Sequence, residues 1–302
     1  MTGVRMFLSG VRNAVRQILV LRRKTQRHVK QVSQLASLCV RGEKPIVVYQ
    51  MGKVGSTSVY KSLISHGLRA IQAHNISIDR HPQKRKAYIR LSPLQRPFRV
   101  LFERVTFLRR VIMYTYFSRE KRGLKIITLV REPVARNISA FFETFEMGTG
   151  GTYVPSDVSR EELSLMFLKY YPHEIPLNWF DDEIRQVFGI DVYDHPFPQE
   201  KGFLTIKEKN VEILILKSEI EDRMKEHAIS RFLNVSDFKL TRAYAAEDKD
   251  YAETYQRFKQ TVELPQEYIE TMCNAKYTRH FYSEAEIQHI RAKWQKDAPM
   301  KD

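Results

Sequence analysis

The stretch from Pro45 to Leu63 constrains the fold more than any other part of the chain. It opens with an apolar, β-branched run, passes through a loop in which glycines flank a lysine, and continues as an amphipathic segment. This order predicts a strand, a tight loop and a helix. The backbone N–H groups at the start of such a helix converge, and the helix dipole favours negative charge there. The stretch therefore predicts a binding site for a phosphate or sulfate group.

The side chains of this loop also suit an anion, because they combine a positive charge, hydroxyl donors and a glycine that lets the backbone approach closely. The residues expected to contact the anion are Lys53, Gly55, Ser56, Thr57 and Ser58. Val54 and Gly55 separate the lysine from the first hydroxyl, whereas the P-loop of ATP-hydrolysing enzymes has glycine, lysine and hydroxyl adjacent. An ATP-hydrolysing P-loop is therefore the weaker interpretation.

The net charge of +15 is concentrated in two parts of the chain. Residues 1–30 carry +8 and residues 79–122 carry +10, so the remainder is slightly acidic. Such surfaces indicate anionic partners, namely lipid headgroups, an acidic glycan or nucleic acid. The two cysteines, Cys39 and Cys273, lie far apart without metal-ligand spacing. They predict neither a disulfide framework nor a zinc site, and we expect two buried or idle thiols in a reducing compartment.

The N-terminal residues 1–40 are predicted to form a basic amphipathic helical segment, followed by one α/β domain over residues 41–302. Arginines interrupt the apolar runs too often for a membrane span, and no signal-peptide cleavage site follows. Two alternatives stay open for this helix. It attaches peripherally to an anionic membrane surface, or it packs on the domain or on a second subunit.

A second predicted strand, residues 68–73, delivers His74 at its carboxyl end. Ligands of open parallel sheets bind outside the carboxyl ends of the strands, where the Lys53 loop also lies. The unperturbed pKa of histidine suits proton abstraction near neutrality. His74 is therefore the candidate general base.

The basic insert, residues 79–122, contains apolar residues at helical spacing between Phe98 and Phe117, interleaved with arginines. We predict one long helix there. Its arginines either grip an acidic acceptor or form a solvated charged face.

A third strand is predicted from Lys125 to Val130, and Arg131 follows it directly. Pro133 suits the first turn of the next helix, on which Ser139 lies about two turns along. The aromatic stretch up to residue 182 is predicted to be irregular, and residues 211–217 form the fourth clear strand. Strands that alternate with helices predict an α/β fold with a parallel sheet flanked by helices.

Four motifs carry a resemblance to a known family. The segment GKVGSTS (52–58) resembles the 5'-phosphosulfate loop of sulfotransferases that use 3'-phosphoadenosine 5'-phosphosulfate (PAPS), and REPVARNISAF (131–141) resembles their 3'-phosphate-binding segment. The segments LNWFDDEI (177–184) and YTRHFYSEAEI (277–287) are similar to the capsular-polysaccharide-synthesis sulfotransferases within that superfamily. The resemblance covers roughly residues 45–290.

The resemblance implies a P-loop-like, sulfotransferase-like fold, PAPS as sulfuryl donor and no metal. It implies that Lys53 contacts the bridging oxygen and the leaving phosphate, while the hydroxyls and amides after it hold the phosphate oxygens. Arg131 and Ser139 are implied to bind the 3'-phosphate. His74 is implied to take the proton of the acceptor hydroxyl.

Several further roles follow from the same resemblance. Glu143 and Glu146 are alternative candidates for the general base, because related enzymes use a glutamate in this role. Glu219, after the strand at 211–217, resembles the acidic turn that follows a late strand in the family. Lys276 and Arg279 are expected to close over the nucleotide.

The expected function is sulfuryl transfer to a hydroxyl of a carbohydrate acceptor, either a polysaccharide or a glycolipid. The expected partners are this acceptor and an anionic membrane contacted peripherally, not nucleic acid, and the expected location is the cytoplasm at the inner membrane surface. Two alternatives stay open. One is a small-molecule kinase of P-loop type, and the other is a non-catalytic protein that binds membranes or polyanions.

Overall fold

A computed structural model describes residues 2–41, 44–78, 96–119, 123–148, 158–241 and 251–295. The predictions about residues 79–95, and about the side chains of Cys39 and Glu146, lie outside this part of the chain. Cys273 is a free, buried thiol, and its burial raises its pKa to about 11.

A five-stranded sheet forms the centre of the domain. Its strands are β1 (Ile46–Tyr49), β2 (Ala70–Ala73), β3 (Leu124–Val130), β4 (Phe203–Glu208) and β5 (Val211–Lys217). They lie in the order β2-β1-β3-β5-β4, and β4 alone among them runs antiparallel to its neighbour. The near-continuous apolar runs of β3 and β5 are buried on both faces, as helices cover the two sides of the sheet. The predicted α/β fold with a sheet flanked by helices is confirmed, and the sheet is parallel as predicted except at β4.

Twelve helices are described. They are α1 (Thr2–Val40), α2 (Ser56–Ser65), α3 (Arg96–Arg119), α4 (Pro133–Gly148), α5 (Arg160–Tyr170), α6 (Ile175–Trp179), α7 (Gln186–Phe188), α8 (Asp222–Leu233), α9 (Ala252–Thr261), α10 (Gln266–Asn274), α11 (Lys276–Phe281) and α12 (Glu284–Trp294). A π-helical turn, Phe180–Arg185, joins α6 to α7, so residues 175–188 form one continuous helical stretch.

The strand order reverses between β1 and β3. From β1 the chain moves outward to β2, and it then returns to place β3 on the other side of β1. Loops that leave the carboxyl ends of two such strands diverge and leave a crevice, which is the usual ligand position in open α/β sheets. In this protein those loops are residues 50–55 and the turn at Arg131.

The N-terminal helix is a single element of 39 residues, which agrees with the helical segment predicted for residues 1–40. Its second half packs on the domain. His28 stacks on Phe102 of α3 at 5.4 Å between ring centroids, and Gln31 Nε2 donates to the Gln72 carbonyl at 2.7 Å. For the second half of α1, the alternative in which the helix packs on the domain is therefore the one that the structure shows. No helix in the described part of the chain is long and apolar enough to cross a membrane.

One local expectation was wrong, and one of the two alternatives for the insert helix is excluded for two of its arginines. The aromatic stretch up to residue 182 is largely helical from Arg160 onward, because its large side chains pack into the core instead of shaping a loop. In α3, Arg109 and Arg110 do not belong to a solvated charged face. Arg109 is buried and donates to the Asn75 carbonyl at 2.9 Å, and Arg110 donates to the Ser77 carbonyl.

Candidate functional site: an anion loop at the switch point

The loop between β1 and α2 adopts a conformation that concentrates backbone donors. Lys53 and Gly55 both have positive φ, at 74° and 83°, and Gly55 is the residue that precedes the first turn of α2. A left-handed conformation costs a non-glycine residue roughly 1–2 kcal/mol. Such strain is typical of functional loops, where alternating backbone conformations form an anion-binding concavity. The first N–H groups of α2 adjoin this concavity.

Two arginines that follow β3 hold the loop in place. Arg131 Nη1 donates to the carbonyl oxygen of Lys53 at 3.0 Å, and Arg136 Nε donates to that of Gly52 at 3.0 Å. Arg136 is buried and also donates to the hydroxyl of Tyr171 at 2.9 Å. These bonds join the loop after β1 to the turn after β3, so the two segments that were predicted to bind phosphates lie next to each other.

The ammonium group of Lys53 pairs with a carboxylate across this crevice. Its Nζ lies 3.4 Å from Glu143 Oε2, which also accepts a hydrogen bond from the Tyr251 hydroxyl at 3.0 Å. Because the Glu143 side chain is 44% exposed, the pair is worth at most about 1 kcal/mol. Lys53 can therefore exchange Glu143 for an anionic ligand at little cost. Because Glu143 lies next to Lys53, it remains an alternative to His74 as the candidate general base.

The hydroxyl residues of the loop differ in accessibility. Ser56 is buried, and its Oγ accepts hydrogen bonds from the side-chain amides of Gln50 and Gln72, the latter at 3.2 Å. Thr57 is exposed and Ser58 is half-buried. Gln50 and Gln72 thus fix the Ser56 hydroxyl at the start of α2, a role that the sequence pattern did not indicate.

His74 lies directly after β2, as predicted, and its Nδ1 is 3.0 Å from the carbonyl oxygen of Gln50. The amide nitrogen of the Gln50 side chain, which can only donate, lies farther from Nδ1, at 3.3 Å, and donates to Ser56 Oγ. The shorter contact with the carbonyl, which can only accept, favours the tautomer in which Nδ1 carries the proton and Nε2 keeps its lone pair. His74 is exposed to solvent on one side, and desolvation by the protein atoms near the ring is the main cause that lowers its pKa to about 4. The Gln50 carbonyl opposes the shift, whereas Arg109, Arg27 and Arg136 add to it. His74 is therefore neutral at pH 7.

The segment that carries His74 is held by the LNWFDDEI motif. Trp179 Nε1 donates to the carbonyl oxygen of His74 at 3.1 Å. Glu183, which is fully buried, accepts from the backbone N–H groups of Ile76 at 2.8 Å and Ser77 at 2.9 Å, and from the hydroxyl of Tyr49. The motif therefore positions the turn after β2.

The YTRHFYSEAEI motif braces the turn after β3 in the same way. The hydroxyl of Tyr277 accepts from the N–H of Arg131 at 3.0 Å and lies 2.9 Å from its carbonyl oxygen, to which it can donate. Glu219 accepts from the N–H of Glu132 at 2.9 Å and from the hydroxyl of Tyr282 at 3.2 Å. Both motifs thus contact backbone groups at the carboxyl ends of the strands.

The other residues that the sequence assigned to the site, Ser139, Lys276 and Arg279, differ in their surroundings. Ser139 is buried on α4, on the helix that follows Arg131. Lys276 Nζ lies 4.0 Å from the centroid of the Tyr193 ring, and Arg279 donates to Asn274 Oδ1 at 3.1 Å. The expected closure of Lys276 and Arg279 over a nucleotide therefore finds no support in their contacts. Among the described residues, no group of three or more His, Cys, Asp or Glu side chains is arranged to hold a metal ion.

The fold and this site define an α/β protein with a candidate anion-binding loop at the reversal point of a mostly parallel sheet. Residues 161–283 of the chain match the sequence family described as "Putative capsular polysaccharide synthesis protein" (NKWYS). The matched segment, less than half of the chain, contains the bracing residues Trp179, Glu183, Glu219 and Tyr277, whereas the anion loop precedes it. Comparisons with curated proteins and with solved structures found no match.

Proposed function

We propose that this protein transfers a sulfuryl group from PAPS to a hydroxyl of a carbohydrate acceptor by in-line displacement. The observation that carries the proposal is the hydrogen bond from Arg131 to the Lys53 carbonyl. It joins segment 52–58, which suits a 5'-phosphate, to segment 131–141, which suits a 3'-phosphate. A donor with phosphates at both its 5' and 3' positions suits such a site. The family similarity, through its description, favours a capsular or related polysaccharide as acceptor.

Sulfuryl transfer needs alignment and charge stabilisation more than covalent chemistry from the protein. The acceptor oxygen forms a bond to sulfur while the bond from sulfur to the 5'-phosphate oxygen breaks. Lys53 stabilises the negative charge that develops on that oxygen, and the first N–H groups of α2 with Ser56, Thr57 and Ser58 hold the phosphate. Arg131, whose guanidinium has donors beyond the one bound to the loop, binds the 3'-phosphate with Ser139.

His74 receives the proton of the acceptor hydroxyl at Nε2. The ring is neutral at pH 7 and fixed by the Gln50 carbonyl, so the lone pair is available. A bound anionic nucleotide would raise the pKa of the ring, because negative charge nearby favours the protonated form. The site therefore becomes more basic when the donor binds.

Replacing His74 with asparagine tests this role. The rate should fall by about a hundred- to ten-thousandfold, the usual contribution of a general base. In the wild type, kcat/KM should decline only as the pH falls towards the pKa of about 4, because the neutral form is required and the free enzyme sets this limit. The decline should be absent from the residual activity of the variant.

The matched control for this variant is His66→Asn at the far end of α2, where Nδ1 lies 2.7 Å from the Ser62 carbonyl. That change should leave the rate and the pH profile unaltered. A His74→Asn enzyme with full activity would refute the role, and Glu143 would then be the candidate base to replace.

Transfer of label from ³⁵S-labelled PAPS to a panel of polysaccharides and glycolipids tests the function itself. We expect incorporation into a carbohydrate fraction that persists in the presence of EDTA. A parallel reaction with ³²P-labelled ATP and magnesium tests the kinase alternative. Phosphorylation with magnesium and no sulfation of any acceptor would contradict the proposal.

A further inference from the structure

The outward face of α3 is apolar. Phe107 is 60% exposed, Leu108 58%, Leu101 54% and Val100 47%, and these residues recur at helical spacing around Arg104. The opposite face of α3 makes the contacts with α1 and the domain, through residues such as Phe102. Four exposed apolar side chains on one face of a helix that is already packed on its other side indicate a surface that binds a partner.

The charge around this stripe identifies the chemistry of the partner. Helix α1 has eight basic residues and no acid. Apart from the inward-facing Arg109 and Arg110, α3 has four basic residues and one acid, so the pair carries +11 outside those two arginines. On α1, Arg22, Arg23 and Arg27 are exposed. Cations alone would suit a nucleic acid or an acidic glycan, but neither provides an apolar phase for phenylalanine and leucine side chains.

We propose that the outward face of α3, together with the basic face of α1, docks on the surface of an anionic lipid bilayer. The apolar side chains enter the boundary between headgroups and acyl chains, while the arginines pair with lipid phosphates. This surface includes the insert helix, which sequence reasoning did not assign to a membrane. Helix α1 adds exposed apolar residues of its own, Val15, Leu19 and Val29, beside its basic residues.

The helix that carries the docking surface also contacts the candidate site, through its inward side. Arg109 and Arg110, on the inward side of α3, hold the carbonyl oxygens of Asn75 and Ser77, which directly follow His74. If the proposed function holds, an acceptor attached to a lipid would meet His74 close to the membrane. The docking itself does not depend on that function.

Sedimentation of the full chain with lipid vesicles tests the proposal. We expect binding to vesicles of equal parts phosphatidylglycerol and phosphatidylcholine, weakening with salt, and little binding to pure phosphatidylcholine. Leu108→Ser should weaken binding by about tenfold or more, because serine places much less apolar surface in the bilayer than leucine does. Leu165→Ser is the matched control, because Leu165 on α5 is also 58% exposed, and it should bind like the wild type.

Three results would overturn the proposal. The first is equal binding by the Leu108→Ser and wild-type proteins, and the second is equal binding to anionic and neutral vesicles. The third is a wild-type dimer in analytical ultracentrifugation that Leu108→Ser converts to a monomer, with no vesicle binding by either protein. In that case the face binds a second copy of the chain. Assaying sulfuryl transfer to a water-soluble acceptor separates this test from that of the function, as Leu108→Ser should leave that rate unchanged.

Discussion

Replacing Lys53 with alanine is expected to lower the rate of sulfuryl transfer by about a thousandfold, the upper range for loss of one preorganised donor at a developing negative charge. The ammonium group lies at the mouth of the anion loop, and its pairing with Glu143 is weak enough to be displaced. The measurement is kcat with labelled PAPS and the best acceptor. Nucleotide binding should weaken far less than kcat, because the backbone donors of α2 remain.

The control for this prediction is Lys61→Ala, which removes an exposed lysine from the same helix, α2. It should retain the wild-type rate. A Lys53→Ala protein with kcat within tenfold of the wild type would contradict the role assigned to Lys53, and with it the use of the loop as a sulfuryl-transfer site.

Replacing Glu183 with alanine is expected to destabilise the fold by about 4 kcal/mol, since buried donors left unsatisfied cost roughly 1–3 kcal/mol each. The carboxylate accepts from the N–H groups of Ile76 and Ser77 and from the Tyr49 hydroxyl. All three donors lie at the carboxyl ends of β1 and β2. Urea unfolding measures the loss as a lower midpoint with an unchanged slope.

Asp181→Ala is the matched control, because Asp181 lies in the same helical turn but is 40% exposed and forms only a surface pair with Arg185 at 3.6 Å. It should cost less than about 1 kcal/mol. Glu183→Gln keeps an accepting oxygen and should fall between the two. If Glu183→Ala unfolded at the wild-type midpoint, the bracing role of the LNWFDDEI motif would be wrong.

The elements that could be predicted from sequence are those whose pattern is local. The apolar runs of β1, β3 and β5 identify buried strands, and the glycines and hydroxyls after β1 identify the loop and the start of α2. Strand β4 was not predicted, because it is an edge strand that is only partly buried. A tight turn joins β4 to β5 at Lys209 and Asn210, both of which have positive φ. A lysine at the first of these two positions does not predict such a turn, which usually has glycine, asparagine or aspartate there.

The residues that position the site were missed because their contacts span long sequence separations. Arg136 reaches Gly52 over 84 residues, Glu183 reaches Ile76 over 107, and Tyr277 reaches Arg131 over 146. No periodicity or spacing within one segment encodes such pairs. The motifs that contain them were recognisable only by resemblance, and their role in bracing the carboxyl ends of the strands required the fold.

The measurement that tests the central claim most directly is calorimetric titration of the purified protein with adenosine 3',5'-bisphosphate, AMP and ATP with magnesium. Charge-assisted bonds from Arg131 to a 3'-phosphate should make the bisphosphate bind about a hundredfold more tightly than AMP. Arg131→Ala should abolish that difference. Equal affinity for the bisphosphate and AMP, or preferential binding of ATP with magnesium, would contradict the account.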